Sequence, residues 1–472
     1  MKRLTTLLIS GFVLCCVSSC DYGDLNLNPN LPSKATLPSL LAGSEGVIAF
    51  SVGADVGQMT NTFTQHLSGI VLQAAAWDRY NVDAEAGTAF NTFYAGPMQD
   101  LSTLIRQANE NQANGYEGIG KILLAYCLGT MTSLYGDVPY SEAFQGAINP
   151  YPKFDSQADI YTGIQLLLDE GVALLKTAGP SNSPGNDDLI YKGNVSKWIA
   201  AAYTLKARYA LHLSKTDSEA AAKVLAALYD GTTYRGIASS ANDLEFVFGS
   251  GTSESNPWFQ LVQQRNDFRL GKQFVDLLKA VPADPRLQAF AKPDASGTFS
   301  GSAPGQGQAA DSQIGPYYTT ATTPVPFITY AEAKFIEAEA RLRLNGQDAE
   351  AGKALQEAIR ASVDKVTKST IPAGEVAAFI VNRGTLTGDV TNRLRQVMTQ
   401  KYIALFTQPE VWTDWRRAGF PALQPSFGGT NGLNPDGQIP RRLPVPLGER
   451  LNNPNAPKET PSVQAPRFYW DK

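Results

Sequence analysis

Two apolar stripes at helical spacing, one after the other between Ala331 and Val366, constrain the fold of this chain more than any other feature. Ala331, Phe335, Ala338 and Leu342 line one helix face, with Ile336, Ala340 and Leu344 beside it. Asn345-Gly346 breaks the period, and Leu355, Ala358, Ile359, Ser362, Val363 and Val366 supply the facing stripe of a second helix. Such a stripe is buried only against a partner, and the many alanines let two helix axes come close. The same pairing fits residues 90–112 with 116–134, and 157–178 with 194–213. This is the spacing of tetratricopeptide-like pairs, without a strict repeat of about 34 residues.

Two stretches interrupt the pairs. Residues 231–258 are rich in Gly, Ser, Thr and Asn around Leu244-Glu245-Phe246-Val247-Phe248, read as a short strand, and residues 293–329 are loop. From Phe420 onward prolines recur to Pro466, so this end is loop-rich as well. Loops of such length are functional or docked on the helices. The expected fold is mainly α: tetratricopeptide-like helix pairs forming a scaffold, with a loop-rich cap containing few short strands.

The N-terminus carries a different signal. Lys2 and Arg3 precede the apolar run Leu7–Val17, too short to span a bilayer and placed as a signal peptide. It ends in Val17-Ser18-Ser19-Cys20, which resembles a bacterial lipobox, with cleavage before Cys20 and lipid on its sulfur. The expected organisation is a signal peptide over 1–19, a lipidated tether over 20–40 and one composite domain over 41–472. No other stretch reads as a membrane span, so the protein is expected to be anchored without crossing. Of the four cysteines only Cys127 lies in the body of the chain; it sits in an apolar run and is read as a buried, inert thiol.

Charge excludes one class of function. With 40 Lys+Arg against 44 Asp+Glu there is no basic excess, and a nucleic-acid footprint requires one. Only His66 and His212 are available for imidazole chemistry, and both are read as surface or capping residues. Gly115-x-x-Gly118-x-Gly120-Lys121-Ile122 has phosphate-loop spacing, but Ile122 stands where a hydroxyl is needed and no strand precedes it. Gly305-x-Gly307-x-x-Ala310 lies in coil and is read as loop. No nucleophile elbow, zinc helix or C-x-x-C pair occurs, so no catalytic residue, metal site or cofactor is assigned.

Several phrases, in order along the chain, resemble the SusD/RagB family of surface lipoproteins from Bacteroidetes. They are Leu134-Tyr135-Gly136-Asp137-Val138-Pro139-Tyr140, the Trp198-to-Arg208 segment, Asp284-Pro285-Arg286-Leu287, and Tyr330-Ala331-Glu332-Ala333-Lys334-Phe335-Ile336-Glu337-Ala338-Glu339. Gln400–Phe406, Asp414–Pro421 and Ile439–Pro446 follow, and Arg441-Arg442-Leu443 with Tyr469-Trp470-Asp471-Lys472 is most similar to the second SusD-like subgroup. The resemblance implies a non-enzymatic binding protein on the outer membrane, facing the exterior. It further implies capture of oligosaccharides, or of peptides as the alternative, and delivery to a TonB-dependent, SusC-like transporter. A carbohydrate-active enzyme is the remaining alternative. Glu332, Glu337 and Glu339, and Arg416, Arg417, Arg441 and Arg442, are read as junction residues between helices and cap.

A sugar site requires flat apolar faces beside polar groups. Two segments offer them: Ala76-Trp77-Asp78-Arg79-Tyr80-Asn81, and Ser255-Asn256-Pro257-Trp258-Phe259-Gln260 in a Gly/Ser-rich loop. Trp77, Asp78, Tyr80, Asn81, Trp258 and Phe259 are therefore the expected ligand-binding residues, with Tyr317 and Tyr318 in reserve.

Overall fold

Each stripe finds its partner. The computed structural model describes residues 35–82, 86–344 and 346–471, all but the first two of them in the unit Leu37–Lys472. Helix makes up 54% against 6% strand, so helix-on-helix packing supplies the core. The long helices are α1 (Leu37–Ser51), α2 (Pro97–Glu110), α3 (Asn114–Tyr135), α4 (Gln157–Lys176) and α5 (Val195–His212). They continue as α6 (Ala220–Leu228), α7 (Tyr330–Arg343), α8 (Asp348–Thr367), α9 (Val390–Ala404) and α10 (Glu410–Ala418). Helices α2 to α6 pack successively on one another, and α7 packs on α8, α6 and α9.

Capping and small residues explain where these helices start and how closely they cross. Ser156, Asn194, Thr329 and Asp389 each accept a backbone N–H of the first turn of α4, α5, α7 and α9, worth roughly 1 kcal/mol apiece. The expected helix over 90–112 is two helices, because Pro97 lacks the N–H that a continuous helix needs there and starts α2 instead. The glycines of the phosphate-loop spacing lie inside α3. A Cβ on Gly118 would stand 2.9 Å from the Gly171 carbonyl of α4, and one on Gly120 would stand 2.5 Å from Leu104 of α2. Their spacing serves backbone contact between helices.

Helix α1 begins at Leu37, inside the stretch 20–40 read as a tether; Cys20 and the signal segment lie outside the described residues. The run Leu37–Phe63 is also long and apolar enough to cross a membrane, with mean hydropathy 1.3, which the sequence reading missed. Here it is a core helix: Leu41, Ile48, Val52, Val56, Met59 and Phe63 are buried, and α1 packs on α2.

Strands are short and confined to two-stranded ladders among the described residues. Leu67–Gly69 pairs antiparallel with Phe268–Leu270, and Leu244–Phe246 with Val325–Ile328. Tyr229–Asp230 pairs with Thr233–Tyr234, and Ala291–Lys292 with Gln313–Ile314. The proline-rich C-terminal end straps itself to the helices. Gly419, at φ 74°, closes α10. Leu443 N–H then donates to Leu134 O at 2.8 Å, and Tyr469 N–H to Gln157 Oε1 at 2.8 Å. The Arg416 guanidinium lies 3.7 Å from the Trp412 ring centroid and donates to Ser133 O at 2.7 Å and Arg441 O at 2.8 Å.

Buried ions join α5, α7, α9 and α10. Arg208 grips Glu332 bidentately at 2.7 and 2.6 Å, Arg417 holds Glu339 and Asp414, and Lys401 meets Asp414 at 2.6 Å. Against the raising effect of burial, the guanidiniums of Arg417 and Arg343 together hold Glu339 well below the usual carboxylate range. Arg286 donates to Asp284, Ser362 Oγ and Gln400 Oε1. These are the glutamates, aspartates and arginines of the family-like phrases. A buried pair contributes little against an apolar substitute but costs several kcal/mol when one partner is lost, so it fixes one arrangement of helices.

Candidate ligand-binding surface

Backbone turns fold the chain sharply around the segment Ala76–Asn81. Strand Leu67–Gly69 leads into a short helix, Leu72–Asp78, and left-handed backbone flanks it: Leu72 at φ 50° and Tyr80 at φ 62°. Such conformations are uncommon for side chains of this size. They turn Trp77, Asp78 and Tyr80 inward and leave Arg79 and Asn81 exposed.

The inward residues pack and anchor. Trp77 is buried with its ring centroid 6.4 Å from that of Phe268. Tyr80 is buried against Phe63, and its hydroxyl oxygen accepts the Ser426 N–H at 2.9 Å. Asp78 Oδ2 accepts from Ser68 Oγ and from Gly305 N–H, both at 2.8 Å. Burial pushes its carboxyl up to about 7, against the lowering effect of those donors and of Arg79. Asp78 therefore ties three separated stretches together.

The other expected aromatics go elsewhere. Asn256 caps the helix Pro257–Gln264 and donates to Thr323 O at 2.6 Å, which seats Trp258 in the interior beside Gly57. Phe259 and Tyr317 are half-buried, and Tyr318 is buried on Phe290 and Phe406. No ring contact links Trp77 with Trp258 among the described residues. Trp77, Tyr80, Trp258 and Tyr318 present no open face to a sugar, because the fold uses their area for packing.

An exposed layer lies over the Trp77 segment. Phe427 is 70% exposed, and its N–H donates to Pro304 O at 3.1 Å. Gly305, at φ 77°, passes so close that a Cβ would stand 2.1 Å from Phe427 O. Gly428 lies against the Arg79 side chain, and Asn431 Nδ2 donates to the Arg79 and Tyr80 carbonyls at 3.3 Å. The loops thus bring Phe427 and Arg79 to one surface, with Asp78 and Tyr80 as its supports and Asn81 exposed next in sequence. Sequence reading missed Phe427; its signal is an aromatic beside Gly428-Gly429 in a proline-rich end.

The remaining chemistry-bearing residues are structural. Both histidines are buried, where the expected role is surface or capping; His212 ends α5. His66 stacks on Tyr402 at 4.0 Å, and burial pushes its imidazole down to about 3. His212 bridges the Tyr161 hydroxyl at 2.8 Å and Glu410 Oε1 at 2.6 Å. Cys127 is buried, and burial pushes its thiol up. Among the described residues no group of three or more His, Cys, Asp or Glu side chains is placed to hold a metal ion.

Comparison with known proteins gives a consistent result. A family model of SusD-like proteins, described as starch-binding and associating with the outer membrane, matches residues 29–446. Among solved structures, a chitin-binding protein superposes with TM-score 0.79 at 24% identity, over 92% of this chain and all of that one. A chitin-binding SusD homolog from Flavobacterium johnsoniae gives 0.77 at 20% identity, over 92% of this chain and 98% of that one. A SusD/RagB family protein from Bacteroides thetaiotaomicron gives 0.76 at 23% identity, over 93% and 99%. A comparison with functionally curated proteins gave no match.

Proposed function

We propose, from the premise that this chain belongs to the SusD-like family of outer-membrane-associated glycan-binding proteins, that it captures oligosaccharides at the cell surface and passes them to a TonB-dependent transporter. The family is one of binding proteins, with no enzymatic role. The observation that carries this reading is the extent of the family match, which spans the helical scaffold and the loop cap together. Chitin-binding relatives of the same fold make chitin and starch fragments the first ligands to try.

The surface over the Trp77 segment suits such a ligand. Phe427 offers a flat apolar face to pyranose C–H groups, and Arg79 and Asn81 stand ready for hydroxyls. Trp77, Asp78 and Tyr80 act beneath it as supports, so the site is built on packed residues and displays few. Calorimetric titration with maltohexaose and chitohexaose tests the reading. Phe427→Ala is expected to cost about 2 kcal/mol, roughly thirtyfold in affinity, with an unchanged melting temperature. Unchanged affinity in that variant removes Phe427 from the site; binding of peptides alone overturns the glycan assignment.

A further inference from the structure

The scaffold carries a second concavity that shares no lining residue with the surface around Phe427. It is a trough of about 670 Å³ between α4, α5 and α6, within the range of small-molecule sites. Through Ala226 and Arg235 it continues into an open hollow of about 740 Å³ beside the Tyr229–Tyr234 hairpin. Alanines at 158, 210 and 227 form part of its lining and give it depth.

Its chemistry is specific. The Arg235 guanidinium stands 4.4 Å from the centroid of the Tyr203 ring and donates through Nη2 to Ala226 O, and Arg235 Nε–H is buried without an acceptor among the described residues. Tyr469, from the C-terminal strap, adds a ring that is 39% exposed, and Gln165 adds an amide. The charges at the rim are matched: Lys206 with Asp169, Lys223 with Asp217 at 2.6 Å, and Arg235 with Asp230 at 4.0 Å. Matched charge gives an ionic ligand no net attraction. The hairpin borders only the hollow; the trough's own walls are mainly helical and, among the described residues, present no strand edge along which an extended peptide could form its ladder. Aromatic faces, an unsatisfied donor and neutralised charge together suit a ligand that is neutral, flat-faced and rich in hydroxyls.

We propose that this trough is a second glycan-binding site, taking an uncharged oligosaccharide segment across Tyr203 and Tyr469 with Arg235 Nε–H donating to one of its oxygens. The proposal rests on the glycan reading of the family and extends it. Two sites on one chain raise the effective concentration of a long polysaccharide at the second once the first is engaged.

Hydroxyl-radical footprinting of the full mature chain in mild detergent, with saturating maltohexaose and then chitohexaose, reads the trough directly. Protection of Tyr203 and Tyr469 by either probe is expected, and protection that survives in Phe427→Ala supports a separate site. Calorimetry is expected to resolve two binding events, of which Tyr203→Ala weakens one at least thirtyfold and leaves the other unchanged. The footprint on the unaltered chain keeps the test valid if Tyr203→Ala folds poorly. A probe that binds near Phe427 and protects neither tyrosine overturns the trough and leaves the proposed function standing. Protection of the tyrosines without any effect of Phe427→Ala supports the trough and removes Phe427 from the site, with glycan capture still standing. If neither hexasaccharide protects the tyrosines, the trough proposal fails.

Discussion

Asp78 concentrates the physical tension of the candidate surface in one side chain. It is buried, yet it accepts two hydrogen bonds that a carboxylate accepts best. Desolvation wins, and the carboxyl is raised from 3.8 to about 7. The sign follows from linkage. The folded state holds a proton that the unfolded chain releases near its ordinary value, so the contribution to stability is full below about pH 4 and is lost as pH rises through about 7. Asn at this position carries no such dependence. The stability of the wild type relative to Asp78→Asn, from urea denaturation, is expected to fall between pH 5 and pH 8; a constant difference means that the group does not titrate there. Asp78→Ala is expected to cost about 1–3 kcal/mol, because Gly305 N–H and Ser68 Oγ lose their acceptor. Single residues were also where sequence reading failed most. Sequence placed Trp77 and Trp258 outside the regular helix stripes, but whether such an aromatic points out or in depends on distant contacts: Asn256 with Thr323, 67 residues away, beside Trp258, and Tyr80 with Ser426, 346 residues away, beside Trp77.

At the scale of elements the sequence is far more legible, because helical period is a local property that packing then uses. The stripes of Ala331–Leu344 and Leu355–Val366 became α7 and α8, and the segment 244–248 contains a strand. The glycines at 115, 118 and 120 fail as a phosphate loop on sequence alone, and packing supplies the role that sequence could not. The contrast between buried and open helical glycines gives a paired prediction. Gly118→Ala places a methyl 2.9 Å from the Gly171 carbonyl and 2.8 Å from Leu175. The roughly 1 kcal/mol gained in helix propensity is then outweighed by overpacking of about 1–3 kcal/mol. Gly43, on the exposed side of α1, has nothing within 4 Å of the same methyl. Gly43→Ala is expected to raise stability by up to about 1 kcal/mol. Thermal and urea unfolding of the two variants should therefore move in opposite directions; a shared direction contradicts the proposed helix contact.

For the whole molecule, the question is how a helical scaffold with loop-borne sites is held where nutrients arrive. The family associates with the outer membrane, and we propose that lipid on Cys20 makes that attachment. Cys20 precedes Leu37, where the described helices begin, so the anchor and the fold are separable. Acylation contributes about 0.8 kcal/mol per buried methylene, and stable retention takes more than one chain, whereas the described fold draws its core from α1 onward. Cys20→Ala is accordingly expected to release the protein from the membrane fraction while its melting temperature and its glycan affinity stay those of the wild type. Metabolic labelling with a fatty acid, followed by mass spectrometry of the mature N-terminus, identifies the modified residue. Retention of the variant in membranes at wild-type levels would move the attachment from the lipid to the transporter interface. Recovery of the transporter with the detergent-solubilised variant would then follow, and its loss on solubilisation would leave neither attachment in place.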